Sequence, residues 1–479
     1  MSKEKNKINE EATKRYKKKI VVIGAGPGGY QTAVRLSKAG LDVTLIDEKY
    51  AGGTCLNVAC IPTKTLLDQI SLFEHFKEST TRKKIFSGAV SINLDNLKIQ
   101  QQEVIIQLTG SLEKLFQKTK INFVKGKARL ISDKEILIED EKGSSKIFAD
   151  EIIIATGSSP RTIPTFEPDG NLIVSSDEIW NIPRVPERFL VVGSGPIGIE
   201  FARVFNALGS KVTIAEIKEF ICPILDLEIS ENLVRSLKRR GINLKPNTAS
   251  KFLSKTGDKV KAEFISTVDE KRETQEFDQV LIAVGRKPNT ENLGLEDVRI
   301  ELEPQGFVKV DKQMQTNKKN IWAIGDITNF PQLAHTASSQ AKVVAGNILG
   351  EKKEFNGSLI PSCIFGYPEI AFVGETEEAL KEKKVDYKAG KFLFLASGKA
   401  KATGLTEGLV KILMDEKTKK ILGAHIVGAE ASNLIHELVV AMQNNLTVDK
   451  VLESIHAHPT YSEVVYEALE DSLGEAVHV

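Results

Sequence analysis

Twice in this chain a short run of β-branched and apolar residues leads straight into a glycine-rich turn, and this doubled pattern restricts the fold more than any other feature. The first copy is Ile20 to Ile23 followed by Gly24-Ala25-Gly26-Pro27-Gly28-Gly29, with Gly24, Gly26 and Gly29 in Gly-x-Gly-x-x-Gly spacing. The second is Phe189 to Val192 followed by Gly193-Ser194-Gly195-Pro196-Ile197-Gly198, with Gly193, Gly195 and Gly198 in the same spacing. In a strand–turn–helix unit such glycines permit a tight turn and let backbone N–H groups approach a pyrophosphate. The helix N-terminus that follows favours the negative charge. Helices are expected from Gly28 to Lys38 and from Ile199 to Leu208. An acid roughly 20 residues further on should hold a ribose hydroxyl. Asp47 supplies it after Val43 to Ile46, with Glu48 as a second candidate, and Glu216 supplies it after Val212 to Ala215. A carboxylate at that place repels a 2′-phosphate, so the second site favours NAD over NADP. Lys218, two residues on, counts against that preference.

Two dinucleotide sites imply two nucleotides. One is the hydride carrier that comes and goes; the other reads as a resident flavin, which can exchange electrons with both a nicotinamide and a disulfide. A cysteine pair stands close to the first site, in Gly52-Gly53-Thr54-Cys55-Leu56-Asn57-Val58-Ala59-Cys60-Ile61-Pro62-Thr63-Lys64. Residues five apart in a regular helix rise about 7.5 Å and lie on different faces. A disulfide needs Cα atoms within roughly 7 Å. If Cys55 and Cys60 bond, the helix after them must be distorted or must begin inside the motif. Such a pair would be of the reducible kind. Two unpaired core cysteines or a metal pair are the other readings, but metal sites use closer cysteine pairs and further ligands. No such ligands stand nearby, and no metal is expected. Cys222 and Cys363 are isolated and read as buried thiols.

Composition narrows the class. The chain has 479 residues, 41% hydrophobic and 27% charged, with a net charge of +1. That is enough for about three globular domains, and the charge balance argues for neither nucleic acid nor a membrane surface. No apolar run approaches the roughly 20 residues that span a bilayer. The first 19 residues hold eight Lys or Arg and three Glu. They lack the apolar core of a secretory signal, and their acids argue against a transit peptide. A solvated tail and a cytoplasmic location are expected.

The motifs together resemble the pyridine nucleotide–disulfide oxidoreductase family, from about Lys19 to about Glu470. Within that family the similarity is greatest to the branch that oxidises dihydrolipoamide. Cys55 and Cys60 stand as in the family's redox-active disulfide. Ile154-Ala155-Thr156-Gly157 resembles the segment that returns the chain from the flavin domain to the nicotinamide domain. Ala283-Val284-Gly285-Arg286-Lys287-Pro288-Asn289 resembles its counterpart at the exit of the nicotinamide domain. Thr316 with Ile321-Trp322-Ala323-Ile324-Gly325-Asp326 resembles the second flavin motif, whose Asp contacts the ribityl chain. His456-Ala457-His458-Pro459-Thr460-Tyr461-Ser462-Glu463 resembles the C-terminal signature that carries the base.

This last segment also reads from its chemistry. Histidine titrates near working pH and can accept a thiol proton, and Pro459 keeps His458 out of helix. Glu463 could orient the imidazolium. The residues alone leave open a loop with two solvated histidines; the resemblance selects His458 over His456.

The resemblance implies an α/β fold with two Rossmann-like dinucleotide-binding domains, one for FAD and one for NAD, plus a C-terminal α+β dimerisation domain. The boundaries expected are a charged tail over 1–18, the FAD-binding domain over 19–157, the NAD-binding domain over 158–284, a second FAD-binding part with a central region over 285–354, and the interface domain over 355–479. Strand-like Val410 to Leu413 and Ile421 to Val427, then an apolar helix from Leu434 to Gln443, fit that last domain. The implied reaction oxidises dihydrolipoamide through Cys55–Cys60 and FAD, with hydride passing to NAD+. Cys55 is the interchange thiol, Cys60 the partner nearer the flavin, His458 the base and Glu463 its support. Lys64 is implied beside the flavin and Glu200 beside it near the nicotinamide. Gly24, Gly26, Gly29, Asp47, Thr156, Gly157, Asp326 and Ala334 are implied for FAD, and Gly193, Gly195, Gly198, Glu216 and Gly285 for NAD. The implied partners are a second copy, whose base reaches across the dimer, and a lipoyl-bearing protein of a 2-oxoacid dehydrogenase or glycine cleavage complex. The alternative is an NAD(P)H-dependent reductase of another small disulfide.

Close relatives separate on particular residues. Glu216-Ile217-Lys218 stands where glutathione reductase carries arginines, and Leu333-Ala334-His335 is similar to the lipoyl enzyme. The C-terminus, Glu475 to Val479, holds no redox cysteine pair. Ala59, Thr63, the short Asp47–Gly52 loop and Tyr367 in place of a common His depart from the family pattern and bear on which disulfide is used.

Overall fold

The computed structural model describes residues 17–81 and 83–478. The expected charged tail therefore lies almost wholly outside the described residues. The chain divides into two compact units, one of residues 1–62, 102–159 and 287–357, the other of 63–101, 160–286 and 358–479.

The first unit is built on a five-stranded parallel sheet in the order Ile321–Ala323, Glu151–Ile154, Lys19–Ile23, Asp42–Asp47, Asn122–Lys125. Ile20–Ile23 and Ile152–Ile154, in two of its inner strands, are runs of Ile and Val buried on both faces, as parallel strands covered by helices require. Lys19 pairs with Asp42 and Ile20 with Glu151, which puts the first glycine turn at the centre of the sheet. The helix after that turn runs Pro27–Lys38. A three-stranded antiparallel sheet, Lys127–Leu130, Glu135–Asp140 and Gly143–Phe148, is inserted before the strand Glu151–Ile154.

The second unit contains a near copy. Its parallel sheet runs Asn243–Lys245, Lys211–Ala215, Arg188–Val192, Gln279–Ile282, Ile173–Ser175. Arg188 pairs with Lys211 and Phe189 with Gln279, so the second glycine turn is again central. The helix after it runs Pro196–Ala207. An antiparallel insertion, Thr248–Thr256, Lys259–Ser266 and Arg272–Phe277, again precedes the strand beside the central one.

The second unit also carries a five-stranded antiparallel sheet, in the order Ser362–Ile364, Ile370–Gly374, Ile421–Val427, Leu409–Asp415, Tyr387–Leu393. The helices Ala431–Gln443 and Glu463–Leu473 pack on it through Leu434, Ile435, Leu438, Val464, Val465 and Leu469. The approach is close: a Cβ on Gly390 would lie 2.2 Å from the Ala468 carbonyl oxygen. The alternating pattern thus gives two Rossmann-like α/β layers and one α+β layer.

One buried charge cluster ties this sheet to the second glycine-turn layer. Lys411 is completely buried, its Nζ 2.8 Å from Asp226 Oδ1 and 2.6 Å from Glu377 Oε2. Asp226 caps the helix Leu227–Arg239 by accepting from the Glu228 N–H. Burial pushes the Glu377 carboxyl up, but hydrogen bonds, first from Lys411, outweigh it and hold it at about 2. Among the described residues no helix is long and apolar enough to cross a membrane.

Candidate active site

In both glycine turns, the chain's own packing demands the outer glycines. Gly24 has φ +103°, and a Cβ there would lie 2.2 Å from the Ala155 carbonyl oxygen; Gly193 has φ +101° and would meet the Ala283 oxygen at 2.5 Å. A Cβ on Gly29 would lie 1.8 Å from the Gly24 oxygen, and one on Gly198 2.2 Å from the Gly193 oxygen. The middle glycines differ. A Cβ on Gly26 would approach only Gly53 Cα, at 4.0 Å, and one on Gly195 would meet nothing within 4 Å. The chain does not need that space, and each middle glycine is the N-cap of a 12-residue helix with no side-chain cap. Both turns therefore leave open space at a helix N-terminus, an arrangement that suits a pyrophosphate.

The two acids hold their own turns. Asp47 Oδ2 accepts from the Ala25 N–H at 2.7 Å, and Oδ1 accepts from the N–H groups of Lys49 and Tyr50 at 2.9 and 3.1 Å. Glu216 Oε2 accepts from the Ser194 N–H at 2.8 Å and the Ser194 hydroxyl at 2.7 Å, and Oε1 from the Lys218 N–H at 3.0 Å. Each carboxylate keeps acceptor capacity for a further donor. Lys218 takes part through its backbone.

The cysteine motif breaks its helix. Gly53–Asn57 forms a short helix, Val58 and Ala59 interrupt it, and Cys60 opens the helix Cys60–Thr81. The Thr54 carbonyl accepts from both Val58 and Ala59, at 3.0 and 2.9 Å. Asn57 Nδ2 locks the turn by donating to the Ala51 and Gly53 carbonyls, each at 2.9 Å. Cys55 and Cys60 are half-buried and belong to different helices, the arrangement that bonding would require. Burial pushes the Cys222 thiol up to about 12, with Glu216 adding to the effect, and pushes that of Cys363 up to about 11. These two stay protonated and are poor nucleophiles.

Lys64, one turn beyond Cys60 on the same helix, pairs with Glu200 on the helix Pro196–Ala207. Its Nζ lies 3.0 and 2.8 Å from the two carboxylate oxygens. Glu200 is buried and also accepts from the Phe365 N–H at 3.1 Å. The Lys64 ammonium lies 4.7 Å from the Phe365 ring centre, a cation–π distance. Three residues on, Arg203 donates to Glu74 and Ser71, at 2.9 and 2.6 Å, so a second rung joins the same two helices.

The structure separates the two histidines. His456 is enclosed, with only 10% of its side chain exposed, and its Nε2 lies 2.6 Å from Glu437 Oε1. His458 is 78% exposed; its Nδ1 lies 2.7 Å from Glu463 Oε1, which leaves Nε2 turned to solvent. Glu463 Oε2 accepts from the Thr460 N–H at 2.8 Å. Burial raises the Glu463 carboxyl, but the His458 and Thr460 hydrogen bonds outweigh it and hold it below the usual carboxylate range. An anionic carboxylate on Nδ1 fixes the tautomer with a free Nε2, the form that accepts a proton.

In the first unit, Thr156 Oγ1 donates to the Asn289 carbonyl at 2.8 Å, Asn289 N–H bonds the Gly157 carbonyl at 2.9 Å, and Ser158 Oγ donates to Asp326 Oδ2 at 2.6 Å. Ala334 opens the helix Ala334–Ile348. This unit thus gathers Gly24, Gly26, Gly29, Asp47, Cys55, Cys60, Thr156, Gly157, Asp326 and Ala334. The second gathers Lys64, Gly193, Gly195, Gly198, Glu200, Glu216, Gly285, His458 and Glu463.

Residues 18–341 match the family described as pyridine nucleotide-disulphide oxidoreductase, and residues 360–469 match its dimerisation domain. This chain belongs to the pyridine nucleotide–disulphide oxidoreductases. The dihydrolipoyl dehydrogenase of Chlamydia trachomatis is 38% identical over 446 residues, covering 93% of this chain and 94% of that protein. The leghemoglobin reductase of Vigna unguiculata is 37% identical over 451 residues, 94% of this chain and 86% of that one. The crystal structure of LpdA from Mycobacterium tuberculosis is similar with a TM-score of 0.87 at 27% identity, covering 95% of this chain and 99% of that chain.

The pyridine nucleotide–disulphide oxidoreductases use FAD and NAD, and the two glycine cradles fit two such dinucleotides. The matched dimerisation domain supports a homodimer. The departure at Tyr367 is filled by charge: the ring lies 3.4 Å from the Arg240 guanidinium and 5.4 Å from that of Arg203, and both arginines pair with Glu74. Sequence reasoning missed the Ser194 hydroxyl, Phe365 beneath Lys64, and the His456–Glu437 pair. A serine inside a glycine motif was the one visible signal.

Proposed function

We propose that this protein is a dihydrolipoyl dehydrogenase that transfers electrons from dihydrolipoamide to NAD+. The observation that carries the reading is the His458–Glu463 pair: an imidazole held at Nδ1 and open at Nε2, in a chain that also bears the Cys55-x4-Cys60 pair across a helix break. The lipoyl substrate is supported by relatives named dihydrolipoyl dehydrogenase, such as that of Buchnera aphidicola, 36% identical over 93% of this chain.

In this reading Cys55 and Cys60 form a disulfide in the resting enzyme. One thiol of the substrate gives its proton to His458 Nε2, from the second copy of the chain, and attacks Cys55 Sγ; the S–S bond breaks and Cys60 leaves as a thiolate. The remaining substrate thiol attacks its bonded neighbour in the mixed disulfide, closing the cyclic disulfide, and its proton goes to the Cys55 thiolate released. Glu463 stabilises the imidazolium, and exposure of His458 lets the proton leave. Bound FAD supplies a two-electron acceptor for the Cys60 thiolate and a hydride donor for NAD+. Gly24, Gly26, Gly29, Asp47, Thr156, Gly157, Asp326 and Ala334 would hold FAD, and Gly193, Gly195, Gly198, Glu216 and Gly285 would hold NAD. Lys64, oriented by Glu200, would place its positive charge to favour an anionic reduced ring. The proposal includes a lipoyl-bearing protein as electron donor and a cytoplasmic place of action.

A second reading, reduction of another disulfide by NAD(P)H, is favoured by one finding: RclA from Escherichia coli, a flavoprotein disulfide reductase, is similar with a TM-score of 0.84 and 28% identity. Steady-state reduction of NAD+ and NADP+ by dihydrolipoamide, with the purified yellow protein, separates the two. Fast NADH formation with NAD+ preferred is expected. Absence of turnover with dihydrolipoamide, alongside NAD(P)H oxidation by another disulfide, would replace the first reading with the second.

A further inference from the structure

The second glycine turn contains one side chain that the first lacks. Where the first turn has Ala25, the second has Ser194, completely buried. Its hydroxyl has one hydrogen to give, and a carboxylate only accepts, so that hydrogen goes to Glu216 Oε2, 2.7 Å away. The Ser194 hydroxyl oxygen in turn accepts the Cys222 N–H at 2.8 Å. Cys222 has φ +53°, a left-handed conformation that non-glycine residues avoid. Ser194 therefore joins three things: the turn, the acid, and a strained residue in the loop that follows the acid.

The comparison with Asp47 shows what this accomplishes. Asp47 is short and is held by three backbone donors. Glu216 has one more methylene and one more rotatable bond, and only two backbone donors hold it. The Ser194 hydroxyl is its third. A glutamate so held presents a fixed negative charge; a glutamate released from it can turn away from a ribose and from a 2′-phosphate alike.

We propose that Ser194 is a positioning residue that fixes Glu216 and thereby sets the preference of the second dinucleotide site for NAD over NADP. This rests on the reading of Glu216 as the ribose ligand. It does not depend on which disulfide is the substrate.

The test uses the intact flavoprotein, with NADH or NADPH as donor and a quinone dye as acceptor, so that no disulfide substrate is needed. Ser194→Ala should raise the KM for NADH about tenfold, the scale of a hydrogen bond to a charged group. It should leave kcat within about twofold and lower the NADH-over-NADPH preference about tenfold by the same reasoning. In a Glu216→Ala background, adding Ser194→Ala should change neither quantity further. The proposal is overturned if Ser194→Ala leaves KM and preference unmoved, or if it changes them equally with and without Glu216. Ser194→Gly, which keeps the backbone N–H, decides the matter if the alanine variant is not recovered with flavin. If Glu216→Ala alone leaves the preference intact, the ribose-ligand reading itself fails. Loss of dihydrolipoamide turnover in the unmutated protein, with dye reduction retained, would count against the proposed function and leave this inference standing.

Discussion

The two glycine turns are almost superimposable in their local bonding. Gly24 N–H bonds the Ile46 carbonyl at 2.7 Å and Gly193 N–H the Ala215 carbonyl at 2.8 Å; Ala155 bonds Ile23 and Ala283 bonds Val192, both at 2.8 Å. They differ in what surrounds them. The first turn stands beside the cysteine motif: Gly52 N–H bonds the Ala25 carbonyl at 3.0 Å, and a Cβ on Gly53 would fall 2.6 Å from Gly26 Cα. The acid of the second is clamped by a hydroxyl. In the proposed reading one backbone solution serves two roles, one nucleotide built in next to the redox pair and one that exchanges.

Changing equivalent glycines should separate those roles most strongly. Gly29→Ala drives a methyl into the Gly24 carbonyl, and the purified protein should lack flavin absorbance and all activity. Gly198→Ala meets the same obstacle at 2.2 Å, yet should leave a yellow protein whose NADH-to-dye activity falls by about 10² or more, the scale of losing a pyrophosphate site. Equal flavin content in the two variants would break the distinction between the turns.

Cys60→Ser tests whether the redox pair works with the first turn without being needed to build it. Disulfide turnover should vanish while flavin binding and dye reduction persist; loss of FAD would mean that the motif is mainly structural. His458→Gln should slow the thiol half-reaction by about 10² or more, the scale of general-base catalysis. His456→Gln should not, because His456 is occupied by Glu437. A stopped-flow trace that treats the two variants alike would remove the assignment.

The layer that carries the second turn is also fastened by charge, through Asp226, Lys411 and Glu377. Lys411→Met would leave the buried Asp226 without an ion-pair partner, and melting experiments should show a loss of about 3–5 kcal/mol. The pH dependence has a definite sign. The Glu377 carboxyl is depressed from 4.5 to about 2, so its stabilisation is complete above pH 4.5 and is lost as the pH falls toward 2. Acid titration followed by tryptophan fluorescence and calorimetry should show that loss, and the Lys411→Met protein should show less of it. The smallest effect is expected for Glu48→Ala: Glu48 is exposed and Asp47 makes the turn contacts, so FAD retention should be unchanged.

Much of this was written locally. A β-branched run, a glycine turn, an apolar helix and a terminal acid are all set by spacing of a few residues, and each appears within about one to three residues of where its pattern predicts. The break at Val58–Ala59 is what a Cys55–Cys60 bond would require, because the two cannot meet on one regular helix. The antiparallel insertions were not legible, since their alternating polar strands carry little distinguishing pattern.

The sequence by itself determined the two cradles, their acids and the cysteine pair, because those depend on residues that are neighbours or nearly so along the chain. Only the tertiary structure decided which histidine is open, which acid meets Lys64, and what holds Glu216. Glu200 is 136 positions from Lys64, and Glu437 is 19 from His456. Such pairs are made when sheet order and helix packing bring distant faces together, and no local period encodes them. Burial then chooses between chemically equal residues: it encloses His456 and leaves His458 open to solvent.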